Sequence, residues 1–195
     1  QKLRTDPTNT ELRYKKAVIL HKMNRKEKAL AEYGQVIKQS PCHFQALING
    51  GNLAFDLGQT RYAEKSYRQA IRCAPDHHLG YYNAALIAEQ EGNYEEARSL
   101  YQNALSRKAD HGNSLHNLGS LEYRLAGKDQ EKLSRAHFLL QKACNLGSDA
   151  LCLYHLGQIQ NDLGDAVKAR ATLRKAHFLA RGSMRRKIQN VLQTL

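Results

Sequence analysis

A chain of 195 residues with ordinary apolar content and only three prolines is not a disordered segment; it fits one globular domain or one short repeat array. No apolar run approaches the roughly 18–20 residues that cross a bilayer. The formal net charge of +12 points to an acidic partner or to a solvated basic surface, since net charge speaks to association and not to fold.

The positive charge gathers at the two ends. Arg13 to Lys28 holds seven Lys or Arg against Glu27 alone, and Asp165 to Leu195 holds eight against Asp165 alone. No secretory leader is expected at the start. The chain begins at Gln1, so a trimmed leader stays open. The compartment expected is intracellular, cytoplasm first, with an organelle or the periplasm left open.

Taken in order, the chain repeats itself every 34 residues. "YGQVIKQSPCHFQALINGGN" from Tyr33 returns as "YRQAIRCAPDHHLGYYNAAL" from Tyr67. Ala17, Gly51, Ala85 and Gly119 form a column of small residues, and Ala29, Ala63 and Ala97 form a second. Tyr33, Tyr67 and Tyr101 make an aromatic column, followed by Val36, Ala70 and Ala104. Small residues are needed where two helices cross closely, and Tyr fills the space between one helix pair and the next. Gly58 and Gly92 mark the turn inside repeats two and three, with Asn24 in the first; a left-handed residue ends the helix there. Pro41 and Pro75 close the first two repeats, because proline cannot continue a helix.

The fourth repeat opens with "SLHNLGSLEYRLAG". Its turn is expected to be stretched by about five residues, "KDQEKLS", before Ala136, Leu140 and Ala143 resume the columns. The fifth carries "YHLGQIQNDLG" and then Ala169, Leu173 and Ala176. A last helix is expected from Ser183, a suitable N-cap, with Met184, Ile188, Val191, Leu192 and Leu195 as its apolar stripe.

These residues are the signature of the tetratricopeptide repeat (TPR), which the chain resembles over nearly its whole length. The resemblance implies an all-α fold: a right-handed TPR superhelix (an α-solenoid) of five helix–turn–helix repeats plus a C-terminal capping helix. The approximate boundaries are 10–43, 44–77, 78–111, 112–149 and 150–182, with the cap at 183–195, in one domain spanning 1–195.

The same resemblance implies that the first helix of each repeat lines a concave groove that takes extended peptides or helices. Asn49, Asn83 and Asn117 would then form a ladder of amides along it, similar to that in the superhelix of O-linked N-acetylglucosamine transferase. The alternative is that Asn is a consensus position bonding to neighbouring helix backbone. Beside the ladder, the first repeat offers Tyr14, Val18, His21 and Lys22, and the second Gln45, Asn52 and Phe55. The third adds Tyr82, Leu86 and Glu89. The fourth adds His116, Tyr123 and Arg124, and the fifth Tyr154, Gln158 and Asn161. Some of the tyrosines are open to a second reading as stacking core. Chaperone-binding relatives clamp a C-terminal carboxylate through five Lys, Arg and Asn positions. Here the positions are Tyr14, Val18, Asn49, Leu79 and Asn83, and only Asn49 matches.

Four cysteines occur without a CxxC pair, which argues against a disulfide scaffold or a zinc site. The eight-residue spacing of Cys144 and Cys152 is similar to that of bacterial cysteine-rich helical repeats, which implies a disulfide. Two buried thiols are the alternative, and the preferred one. His77, His78, His111 and His116 lack the carboxylate or Cys company of a metal site, and no nucleotide loop or nucleophile elbow is present.

The chain is therefore expected to be a non-enzymatic scaffold or adaptor without cofactor or metal. It would hold a peptide or helix, acidic ones included, in its groove, with the long turn from Gly127 to Ser134 as a second contact. The alternatives are a subunit of a ribonucleoprotein or membrane-associated complex docked through the basic ends, or an accessory module of a larger enzyme. Nucleic acid is the less favoured partner, since the basic ends lack interleaved aromatics. The sequence carries no signal for an oligomeric state.

Overall fold

The computed structural model describes residues 9–195. Those residues form eleven α-helices and no strand. They fall into two compact units, one running to Leu100 and the other Tyr101–Leu195.

The first unit holds α1 (Thr10–Lys22), α2 (Lys26–Gln39), α3 (Phe44–Asp56), α4 (Thr60–Cys73), α5 (His78–Gln90) and the start of α6 (Tyr94–Arg107). Ala17, Ala29, Tyr33, Val36 and Leu53 share one core cluster, and Leu47, Tyr67, Ala70 and Ile87 share the next. The small column meets the aromatic one directly. A Cβ added at Gly51 would lie 2.5 Å from the ring of Tyr67. The turn between α1 and α2 passes through Asn24 at φ 57°, where α3 and α4 use Gly58 at φ 74°. Asn is the L-residue that tolerates this left-handed conformation best.

One face of α1 is exposed. Ile19 is 58% exposed, whereas Leu53, Ile87 and Leu121, its equivalents at the 34-residue offset, are buried at 0–1%. Leu12 and Met23 accompany it as exposed apolar residues.

The second unit contains the rest of α6, then α7 (Gly112–Ala126), α8 (Gln130–Leu146), α9 (Ala150–Asp162), α10 (Ala166–Leu179) and α11 (Gly182–Thr194). Its core gathers Leu133, Leu140, Leu156, Ile159, Leu173 and Ile188. Leucine stands here where the first three repeats have tyrosine, and it too packs on glycine. A Cβ at Gly157 would meet Leu173 Cγ at 2.6 Å, and one at Gly119 would meet Leu140 Cγ at 2.9 Å. The apolar stripe of α11 packs Met184, Val191, Leu192 and Leu195 against this core, so α11 covers the end of the stack as a cap does.

Two sequence expectations need correction here. The turn of the fourth repeat is not stretched: α7 ends at Ala126 and α8 begins at Gln130. The extra residues are helical. α7 has 15 residues and α8 has 17, against 13 and 14 in the second repeat. Asp129 drives this early start, since its carboxylate accepts the amides of Glu131 and Lys132 at 3.1 Å each, an N-cap. The segment Gly127–Ser134 is therefore no long loop contact. Ser183 is not the cap of α11 either; the helix starts at Gly182 behind Arg181, and Ser183 lies in its first turn.

Candidate functional site

In the first unit, the first-helix face carries a short polar network. Helical spacing puts Asn49 and Asn52 on one face of α3, three residues apart. Asn49 Nδ2 donates to Tyr14 Oη of α1 at 3.0 Å. Asn52 Oδ1 accepts twice, from Tyr67 Oη at 2.7 Å and from Asn83 Nδ2 at 3.0 Å. The two asparagines are thus oriented in opposite senses. Asn49 spends its donor and keeps its carbonyl oxygen, whereas Asn52 spends its oxygen and keeps its amide hydrogens. Asn52 is exposed, and Asn49 is half-buried.

Asn83 differs from both, being only 6% exposed, with its amide turned towards Asn52. The two members of the predicted ladder in this unit, Asn49 and Asn83, are therefore not equivalent: Asn83 is turned inward to hold Asn52, which faces outward. Tyr14 packs against His43 with the rings tilted and centroids 4.8 Å apart, and burial raises its phenol pKa. Burial pushes Tyr33 up to about 12, so these phenols stay protonated. His21 sits edge-on to Tyr33 at 6.4 Å. Lys22 is exposed at the end of α1, and Phe55, Tyr82, Leu86 and Glu89 are half-buried.

In the second unit, Asn117 Nδ2 donates to Tyr101 Oη at 3.4 Å. The same face holds a histidine pair. His116 Nε2 lies 3.1 Å from His155 Nδ1, and Ser120 Oγ lies 3.0 Å from that same nitrogen. The two rings are near-parallel, 5.2 Å apart. Burial, with the neighbouring His116 and Lys187, pushes His155 down to about 4, and burial lowers His116 as well. Both rings are neutral at pH 7. Tyr123 Oη donates to Asp162 at 2.6 Å. Lys187 of α11 sits 4.8 Å above the Tyr154 ring, and Arg124 is exposed.

The Ser120–His155 contact is not the start of a nucleophilic site. Ser120 sits mid-helix, where the neighbouring backbone amides are spent on helix bonds and none is left as an oxyanion donor. Among the described residues no group of three His, Cys, Asp or Glu could hold a metal ion. No described helix is long and apolar enough to cross a membrane.

All four cysteines are paired. Cys144 and Cys152 form a disulfide with Cα atoms 5.7 Å apart, in place of the preferred buried thiols. α8 ends and α9 begins within that span, so the two thiols are brought face to face. Sequence reasoning missed the second bond, Cys42–Cys73, with Cα atoms 5.3 Å apart. A signal was present: Cys42 stands in the turn just after α2 and Cys73 ends α4, the second helices of consecutive repeats, and stacking sets such ends close together.

Three family models described as tetratricopeptide repeat match residues 10–41, 48–113 and 151–177. No curated protein matches the chain. Among solved structures, the chain is similar to PilF of Pseudomonas aeruginosa (TM-score 0.77, 13% identity, covering 94% of this chain and 84% of that one). It is similar to YrrB, described as a TPR protein with an unusual peptide-binding site (TM-score 0.71, 17% identity, 97% and 94%). A third similar structure is MamA of Desulfovibrio magneticus RS-1 (TM-score 0.71, 19% identity, 87% and 94%). At these identities the likeness is one of fold.

Proposed function

The chain belongs to the tetratricopeptide repeat family, and on that premise we propose that it is a non-enzymatic protein-interaction scaffold whose first-helix face captures an extended peptide of a partner. The observation that carries this reading is the opposed orientation of Asn49 and Asn52. One offers a fixed acceptor and the other a fixed donor, three residues apart on α3. An extended peptide presents an N–H and a C=O to such a pair, and the contact reads backbone more than sequence. Tyr14 and Phe55 flank the pair with aromatic surface, the usual material of interface anchors. Lys22 adds a cation that favours acidic sequences. In the second unit, His116, Asn117, Tyr123 and Arg124 supply a further face of similar make-up. YrrB, a neighbour in fold, is described as having a peptide-binding site, which is in keeping with this use of the scaffold.

The test uses peptides selected from a random displayed library on the native protein. Asn52→Asp keeps the oxygen that holds Tyr67 and Asn83 but replaces the outward donor with an acceptor. Selected peptides are expected to bind this variant at least about tenfold more weakly, the cost of one lost hydrogen bond set against a repelled carbonyl. Its melting temperature should stay near that of the native protein. Equal affinity for the variant, or no selected peptide at all, overturns the reading.

A further inference from the structure

The second helix of each repeat turns one side to solvent, and the repeats themselves show what that side ordinarily carries. Aligned on the buried column Tyr33, Tyr67, Tyr101, Leu140 and Leu173, the position five residues later reads Lys38, Arg72, Ser106 and Asn145 in the first four repeats. In the fifth it is Phe178. Six residues before the column stand Glu27, Arg61, Glu95 and Ser134, and then Val167. Phe178 is 82% exposed and Val167 is 83% exposed. Neither packs into the core, so neither is there for stability. Four repeats keep these sites polar, and α10 alone makes them apolar.

The two residues share a stripe. At 100° per residue, Val167, Ala171 and Phe178 fall on one side of α10, with Arg174 between them. Phe178 and Leu179 help line a groove of ≈ 720 Å³ between α8 and α10, floored by Leu153 and Leu156 of α9, with Arg174 and Lys175 beside them. Cys144 also lines it, and its bond to Cys152 ties the end of α8 to the start of α9. No carboxylate is among the lining residues. From Ala166 to Leu195 there are eight Lys or Arg and no acid. Lys168 pairs with Asp165 and Lys187 lies over Tyr154. Among the described residues, Arg174 and Lys175 have no acidic partner.

We propose that the groove between α8 and α10 is a second docking site, for an acidic segment of a partner protein. A large apolar side chain of that segment enters beside Phe178, over Leu153 and Leu156, while flanking carboxylates meet Arg174 and Lys175. Charge complementarity selects this occupant, because an apolar recess ringed by unpaired cations favours an apolar anchor between acids. An anionic membrane would use the cations and Phe178 but has no use for a recess. Single-stranded nucleic acid needs successive aromatic platforms, and this groove has one. None of its lining residues belongs to the Asn49–Asn52 face.

The probe is a short dye-labelled peptide with a central Leu-Phe pair flanked by glutamates, read by fluorescence anisotropy against the native protein. Saturable binding is expected, weakening with salt. Phe178→Ser and the double change Arg174→Glu/Lys175→Glu should each reduce affinity at least about tenfold, or about 1.4 kcal/mol. Both sets of side chains are exposed, so the melting temperature should not move. Asn52→Asp should leave this binding intact, which separates failure of one site from failure of the other. The proposal is overturned by absence of saturable binding or by variants that bind as the native protein does. Loss on charge reversal without loss in Phe178→Ser also overturns it, as non-specific attraction. So does preferential capture of phosphatidylserine vesicles or a single-stranded oligonucleotide through the same residues.

Discussion

Replacing Gly51 by alanine tests how the stack is closed. Gly51 lies inside α3, where alanine alone would stabilise the helix by about 1 kcal/mol. The added Cβ, however, would lie 2.5 Å from Tyr67 Cε1, 3.0 Å from Cδ1 and 3.1 Å from Cζ. Tyr67 cannot swing clear cheaply. It is buried at 3% exposure, and its hydroxyl is committed to Asn52 at 2.7 Å. Overpacking of this kind costs about 1–3 kcal/mol, and breaking the buried hydrogen bond adds about 1 kcal/mol. The expected net effect of Gly51→Ala is a loss of about 1–3 kcal/mol. Gly34→Ala is the control, because its Cβ would meet only Tyr62 Oη at 3.5 Å, an ordinary contact. It should gain up to about 1 kcal/mol from propensity. Urea denaturation followed by circular dichroism measures both. If Gly51→Ala proves as stable as the native protein, the close approach of α3 to Tyr67 is not what holds these repeats together.

The loops closed by the two disulfides predict unequal effects of removing them. Chain entropy assigns about 4 kcal/mol to the 31-residue separation of Cys42 and Cys73 and about 2.5 kcal/mol to the eight-residue one of Cys144 and Cys152. The double serine variant of the first pair should therefore shift the urea midpoint more than that of the second, and equal shifts would refute the ranking. Acid should weaken the fold through His155. Its folded pKa of about 4 lies below the ordinary 6.5, so between those pH values the unfolded chain binds a proton that the folded chain refuses. Stability is complete above pH 6.5 and falls by up to about 3 kcal/mol as pH drops towards 4. His155→Gln should flatten that part of the pH profile; an unchanged slope would place the effect elsewhere. Asp149 caps α9 by accepting Cys152 N at 2.7 Å. Asp149→Ala should cost about 1 kcal/mol in thermal denaturation, and no loss would mean that the disulfide alone fixes that helix start.

Much of the stack was legible because small and large columns repeat at a fixed interval. Gly51 against Tyr67 follows from a need that recurs in each helix pair, so the 34-residue spacing alone identifies both columns. The fourth repeat was misread because "KDQEKLS" is polar, and polarity does not distinguish a loop from a solvated helix end. Asp129 decided between them, as an N-cap one residue before a run of good helix formers. The asparagine column shows the limit more sharply. Asn49, Asn83 and Asn117 look equivalent at 34-residue spacing, but side-chain orientation depends on partners from other helices. Tyr14 fixes the first of them, and Asn83 is spent on fixing Asn52, which the column does not contain. The Cys42–Cys73 bond was hidden for a similar reason, since it joins the turn after α2 to the end of α4, which only stacking brings together.

The uncovered face of α1 has a consequence for the order in which the molecule comes apart. In a stack each repeat is steadied by its neighbours, so opening free energies differ along the chain. Ile188 of α11 sits at 0% exposure, whereas Ile19 of α1 is 58% exposed. Opening should therefore cost less at α1, whose amide protons should exchange with deuterium before those of α10 do. A helix that settled on Leu12, Ile19 and Met23 would slow exchange in α1 first, which gives a site-resolved signal of occupancy on the helix that also carries Tyr14 and Lys22.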